Sequence, residues 1–230
     1  TTKGDVKGLA ISGVKSESAT FQILPFVWQT GGDLSNYSES GATALAYLRG
    51  MIEEGSMSEA VSNYTQEDAR TQFITGKAAM MINGPWELST LTKDAEIEWD
   101  VAPLPKDKRA ATSMGGENVV VMNGAKQSDA AVKLAKFLTS AEGAKIYCDG
   151  SGQLSSRPDL QGKLKLSNDA KLKVFESQLA DAHARAYGKD YPKISEAIQL
   201  SMQEALTGAS TPEAAAKKAA DTINPLLPKN

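Results

Sequence analysis

Short apolar runs closed off by glycine or proline alternate with longer stretches of helical period, and this alternation most narrows the folds open to the chain. Residues 9–11 (LAI), between Gly8 and Gly13, read as a strand. So do residues 78–82 (AAMMI), an all-apolar run expected of a buried strand, which Asn83-Gly84-Pro85-Trp86 breaks sharply. Residues 100–104, with Pro103 and Pro105 at their end, and the β-branched residues 118–122 (NVVVM) are read as two more. Between them, residues 40–54 place Ala42, Leu45, Leu48, Met51 and Ile52 on one helical face, with Gly55 where a left-handed cap belongs. Thr65 opens a helix that buries Ala69 and Phe73 and ends at Gly76. Further helices start at Ser128-Asp129, Ser140, Asn168-Asp169, Pro192 and Thr211-Pro212-Glu213. The Pro192 helix closes at Gly208. The apolar residues 21–28 (FQILPFVW), interrupted by Pro25, read as a turn or two of helix leading into Gly31-Gly32. Strands alternating with helices predict an α/β fold with a sheet covered on both faces and ligands at loops beyond strand ends. Two loops fit by composition, residues 83–86 after one strand and 114–118 before another.

Several function classes drop out. At 230 residues the chain makes one large domain or two small ones. Its 41% hydrophobic and 23% charged residues are those of an ordinary folded protein, not a disordered one. No apolar run approaches the roughly 18–20 residues of a spanning helix. A net charge of −3, with no basic cluster beyond Lys106-Asp107-Lys108-Arg109, sets nucleic acid aside as a partner. One cysteine and one histidine preclude an internal disulfide and a zinc site of several His or Cys ligands. Cys148 and His183, both in helix-like stretches, read as a packed thiol and a surface imidazole rather than a nucleophile pair. Walker, dinucleotide and Gly-x-Ser-x-Gly patterns are absent. No catalytic residue, cofactor or metal is therefore assigned. With 28 acids, a glycosidase-like carboxylate pair stays open as the alternative, and with it a carbohydrate-active enzyme.

Trp86 is the residue to single out. It follows Asn-Gly-Pro at the exit of a buried strand, where proline fixes its backbone entry. It either caps the core or stands as a flat apolar plate at a cleft, able to stack on the C–H face of a sugar ring while polar neighbours bond the rim. Phe21 and Trp28 admit the same two readings, and their apolar surroundings favour packing. Gly115-Gly116, followed by Glu117-Asn118, lets backbone approach a ligand or simply makes a turn. Arg157 before Pro158 either donates a fork of hydrogen bonds or solvates a loop.

The run GKAAMMINGPW (Gly76 to Trp86), with Asp100-Val-Ala-Pro-Leu-Pro105 and Gly115-Gly116 behind it, resembles the family 1 extracellular solute-binding proteins of bacterial ABC transporters, the maltose-binding-protein-like group. Residues 26–33 (FVWQTGGD), residues 131–137 with Ser140-Ala-Glu-Gly143, and Ala205-Leu-Thr-Gly208 support it. The resemblance implies a periplasmic-binding-protein-like (type II) α/β fold whose two lobes close on a sugar and deliver it to a membrane permease, without bond-breaking. It makes Trp86 a sugar-stacking residue, with Gly115, Gly116, Glu117, Phe21, Trp28, Gln29 and Arg157 along the cleft. It also implies an extracytoplasmic location, in the periplasm or lipid-anchored at the cell surface, through a signal segment outside this chain. The resemblance implies that the family's opening N-terminal-lobe segment is missing from these 230 residues. The resemblance thus divides the chain into residues 1–104, the first part of the C-terminal lobe, 105–150, which normally complete the N-terminal lobe, and 151–230, the closing helices. The missing lobe or another chain becomes an expected partner. Without it, weak sugar binding and exposed apolar side chains at 119–121 and 132–138 are expected, or a module that pairs or swaps with a partner. After Pro192, where maltose-binding members carry another stacking aromatic, this chain has Lys193-Ile-Ser-Glu196.

Overall fold

Helices dominate the computed structural model, which describes residues 4–185 and 187–228. In chain order the elements are β1 (Lys7–Ala10), α1 (Glu17–Gln29), α2 (Tyr37–Glu53), α3 (Gln66–Ile74), β2 (Ala78–Met81), α4 (Leu88–Asp94), β3 (Thr112–Ser113), α5 (Ser128–Leu138), α6 (Ala141–Ser151), α7 (Ala170–Gln178), β4 (Ala182–His183), α8 (Tyr191–Thr207) and α9 (Pro212–Ile223). Most helix starts are the expected ones. Thr65, Ser140, Asp169 and Thr211 each accept a hydrogen bond from a first-turn N–H, so the caps are satisfied as their side chains predict.

The core lies where α1, α2, α8 and α9 meet beside β1. Ile11, Ile23, Leu24, Trp28, Leu45, Leu48, Ile194, Ile198 and Met202 are sealed from solvent there. Burying each such side chain is worth about 1.5–3 kcal/mol relative to leaving it exposed. The alanine-rich α9 contributes Ala215, Ala216, Ala219 and Ala220, whose small side chains let its axis pack closely along α2. Gly208 ends α8 at a φ of +73°, and the Arg49 guanidinium of α2 sits over it, donating to the Leu206 carbonyl at 2.9 Å.

Four expectations are corrected. The sheet covered on both faces is replaced by two separate two-stranded parallel pairs, β1 with β2 and β3 with β4. With a single neighbour, β2 buries Ala78 but leaves Ala79 and Met80 exposed. Residues 100–104 form no strand. The Leu104 N–H instead donates to the Gln178 side chain at 2.9 Å. Residues 118–122 form no strand either, and Val120 and Met122 are 70% and 73% exposed, because no strand lies beside them to take up their backbone bonds. His183 lies in β4, not in a helix.

α1 is longer than expected: it runs 13 residues straight through Pro25. A proline inside a helix leaves the carbonyl four residues back without its partner. That carbonyl belongs to Phe21, and the Ser113 hydroxyl of β3 donates to it at 2.9 Å. The helix defect thus anchors β3. At the other end of α1, Arg109 donates from Nε to the Trp28 carbonyl at 2.6 Å and from Nη2 to Gly32 at 2.9 Å, a cation where the helix dipole is negative. The short basic stretch therefore caps a helix. Within residues 105–150, Ala111 is buried in the main core, whereas α5 contains no buried residue.

Candidate functional site

The Trp86 turn leaves β2 at Ile82, whose N–H donates to Ala10 at 3.1 Å and whose carbonyl accepts from the Gln22 side chain at 3.1 Å. A single 3₁₀ turn, Pro85–Glu87, follows. The indole Nε1 donates to Asn83 Oδ1 at 2.9 Å. The ring folds back over Gly84, where a Cβ would come within 2.2 Å of it, so glycine alone fits there. Glu87, buried, pairs with Arg70 of α3 at 2.8 Å. Trp86 itself is half-buried, neither sunk in the core nor fully exposed.

Phe21 of α1 meets Trp86 edge to face, with ring centroids 6.0 Å apart and an interplanar angle of 64°. The Arg185 guanidinium stands 4.7 Å over the Phe21 ring. Gly115 closes the group: a Cβ there would lie 3.0 Å from Phe21. Anchored by Ser113, the Gly115-Gly116 loop thus comes to Phe21 by backbone. Gly116 and Glu117 follow it in the open. Next to this ledge, the Glu17 carboxylate accepts from Arg185, from the Tyr191 hydroxyl and from Ser195. Burial, reinforced by Glu17, pushes the Tyr191 phenol up to about 12. Ser195 stands in the 193–196 stretch that lacks the aromatic. The ledge therefore ends in a polar cluster built around one carboxylate, with a guanidinium and two hydroxyls as its partners.

Of the residues placed along the cleft by resemblance, Trp28 and Gln29 lie in the interior, for Trp28 the packing that its apolar surroundings favour. Trp28 is wholly buried: it stacks on His183 at 4.8 Å, and its Nε1 donates to Asp33 and to Tyr187, each at 3.2 Å. Burial, with Asp33 accepting its proton, pushes the Tyr187 phenol far above its usual value. Gln29 is buried too and donates to the Ala111 carbonyl at 3.1 Å. Both side chains hold the α1 end together. Arg157 spends its donors on Asp159, at 3.0 Å from each of two nitrogens, and on the Thr139 carbonyl at 2.9 Å. That fork ties a loop to the end of α5. The Cys148 thiol, buried and pushed up in pKa by that burial, faces the Leu154 carbonyl, while His183 lies on Trp28. Among the described residues no group of three or more His, Cys, Asp or Glu is placed to hold a metal.

Glu17, Asn83, Arg185 and Tyr191 escaped the sequence reading. Glu17 and Arg185 stand 168 residues apart, and no local pattern links them. Asn83 was visible only as part of a turn.

Residues 3–174 match the family model for bacterial extracellular solute-binding proteins, and the chain belongs to that family. A solute-binding protein of Thermotoga lettingae, bound with alpha-D-tagatose, superposes with a TM-score of 0.86 at 30% identity, over 97% of this chain and 60% of that one. The maltose-bound MalE3 of T. maritima gives 0.85 at 29% identity, over 96% and 61%. A maltooligosaccharide ABC transporter solute-binding lipoprotein of Streptococcus pneumoniae is 31% identical over 103 residues, 44% of this chain and 24% of that protein. The fold is thus the type II periplasmic-binding-protein fold expected from the Gly76–Trp86 motif, and the relatives are binding proteins. The chain spans under two thirds of the length of these matched proteins.

Proposed function

We propose that this chain is the carbohydrate-binding part of an ABC importer's extracytoplasmic receptor, that it takes up oligosaccharide without chemical change, and that it hands its ligand to a membrane permease. One observation carries the reading: a half-buried indole, fixed on a rigid turn, with Phe21 at its side and a polar cluster beyond. A pyranose presents a C–H face and a rim of hydroxyls, and such a ledge offers a partner to each. Trp86 and Phe21 stack the ring, the Gly115-Gly116 backbone with Glu117 lines one side, and Arg185 with Tyr191 bonds hydroxyls on another. The named ligands of the relatives, tagatose, maltose and maltooligosaccharide, support this class of solute. Glu17 is surrounded by donors rather than by a second acid, which supports binding over glycoside hydrolysis. In the same reading, residues 1–104 and 151–230 form one lobe. The exposed apolar side chains at 119–122 and on α5 are covered by a second lobe or by another chain.

The test is Trp86→Ala in the protein as its gene encodes it, titrated calorimetrically with maltotriose and a galactooligosaccharide. Losing one stacking face lowers affinity by about 1–3 kcal/mol, with little change in the unfolding midpoint. Unchanged affinity returns Trp86 to core capping, and release of reducing ends from the sugar moves the protein to the enzymes.

A further inference from the structure

The turn that carries Trp86 is held on three sides. Gly152, at the end of α6, closes one: a Cβ there would lie 3.2 Å from Ser89 Oγ and 3.4 Å from the Pro85 carbonyl. Arg70 holds Glu87 on the second. Asn83 holds the third, and among the described residues it is the one that bonds the indole's polar atom. Its Oδ1 accepts from Trp86 Nε1 at 2.9 Å and from the Gly84 N–H at 3.0 Å, while its Nδ2 donates to the Gln66 carbonyl of α3 at 3.0 Å. One amide thus bridges the first turn of a helix to the edge of the ring.

Two consequences follow. Packing on Gly84 and the edge of Phe21 holds the ring through apolar contact alone, and the Asn83 acceptor adds the directional bond that fixes its plane. An indole has a single N–H donor, and that donor is already spent. Contact with a ligand is therefore left to the ring's open face and C–H edge. We propose that Asn83 is a positioning residue of the saccharide site, which sets the plane of the Trp86 plate and withholds its N–H from the ligand. The proposal rests on the saccharide-binding reading above. It predicts that freeing the ring weakens binding without removing any atom that touches sugar, because an unheld side chain must be ordered on binding.

The test compares Asn83→Leu, which keeps the bulk and loses both functions, with Asn83→Asp, which keeps the acceptor toward Trp86 and Gly84 and loses the donor toward Gln66. The chain has three tryptophans, so a ¹⁵N-labelled sample shows three indole N–H resonances, and Trp86→Phe identifies the one that matters. In Asn83→Leu the Trp86 indole proton moves upfield and broadens while those of Trp28 and Trp99 stay, and maltotriose affinity falls about tenfold. In Asn83→Asp the indole proton stays downfield and affinity remains within about threefold of wild type. Asn83→Ala repeats the comparison if the leucine variant does not fold. Affinity of the leucine or alanine variant within about twofold of wild type, with the indole proton moved, overturns the proposal. So does a Trp86 proton that does not move at all. Wild-type protein without affinity for maltotriose or a galactooligosaccharide sinks the saccharide reading instead, while the ligand-free resonance still decides whether Asn83 holds the ring.

Discussion

α9 and α5 are both short amphipathic helices, 12 and 11 residues long, yet they meet different fates. α9 brings four alanines and Ile223 to its apolar face, a thin stripe by any hydropathy measure, and buries all five. α5 carries Val132, Leu134, Phe137 and Leu138, far more apolar surface, and buries none: Leu134 is 57% and Phe137 43% exposed. Period and composition therefore mark a face that needs cover, but supply nothing to cover it. α9 succeeds because α2 and α8 flank it with Leu45, Leu48, Met202 and Leu206. α5 packs chiefly on α6, whose own Ile146 and Tyr147 are exposed.

The sharpest way to break this contrast is to truncate one large side chain in each region. Trp28→Ala empties the sealed core and takes the indole donor from Asp33 and Tyr187, which keep their bond to each other, and it should cost about 3–5 kcal/mol in urea denaturation of the 230-residue chain. Phe137→Ala removes an aromatic of similar chemistry from α5 and should cost within about 0.5 kcal/mol. A loss at Phe137 approaching that at Trp28 shows α5 covered in solution, by another copy if the loss depends on protein concentration.

A smaller effect sharpens the same comparison through pH. Tyr37 is buried in the core, its hydroxyl 2.9 Å from Ser201, and desolvation raises its pKa to about 12. In the unfolded chain the same phenol ionises near about 10. The folded state holds its proton more tightly, so this contribution is complete below about pH 10 and is lost as pH rises toward about 12, some 2–3 kcal/mol in all. Tyr191, raised to about 12 by burial, steepens the fall. Stability measured from about pH 9 to 11.5 should therefore drop, and Tyr37→Phe should flatten the drop while costing about 1 kcal/mol at neutral pH for the lost hydrogen bond. An unflattened slope places the alkaline sensitivity outside this core.

Helix starts were legible because each is written in a few neighbouring residues: Thr65 with Asp68, and Thr211 with Pro212 and Glu213. Strands at 100–104 and 118–122 were not, because a strand is completed by a neighbour that no local pattern names. The long α1 was hidden for the opposite reason: Pro25 signals a break locally, and Ser113, 92 residues from Phe21, supplies the missing partner. At the candidate site, the Trp86 turn and the Gly115 loop were readable from turn chemistry, whereas the meeting of Phe21 with both was not. Trp28 was ambiguous because burial of an aromatic is a property of its surroundings. The Glu17, Arg185 and Tyr191 cluster had no local signature at all.

The smallest expected effect concerns the seam between the two regions. Arg157 binds Asp159 through two nitrogens and reaches the Thr139 carbonyl, the residue that caps α5. The pair is exposed, so its charges are well solvated with or without each other. Arg157→Ala should leave the global unfolding midpoint unmoved. The anchor on Thr139 acts locally, however, and its loss frees the end of a helix that otherwise packs chiefly on α6. Amide exchange at residues 139–140 and 155–157 should accelerate about threefold, with α2 and α9 unchanged. The Arg157 guanidinium holds the Asp159 carboxyl below its usual value, so the anchor is complete above the ordinary carboxylate range and is lost as pH falls through that lowered value. Wild-type exchange at these amides should approach the variant's rate in that acid window, after correction for the intrinsic pH dependence of exchange. If wild type and variant stay apart there, the Thr139 contact, not the ion pair, holds α5 to the rest of the molecule.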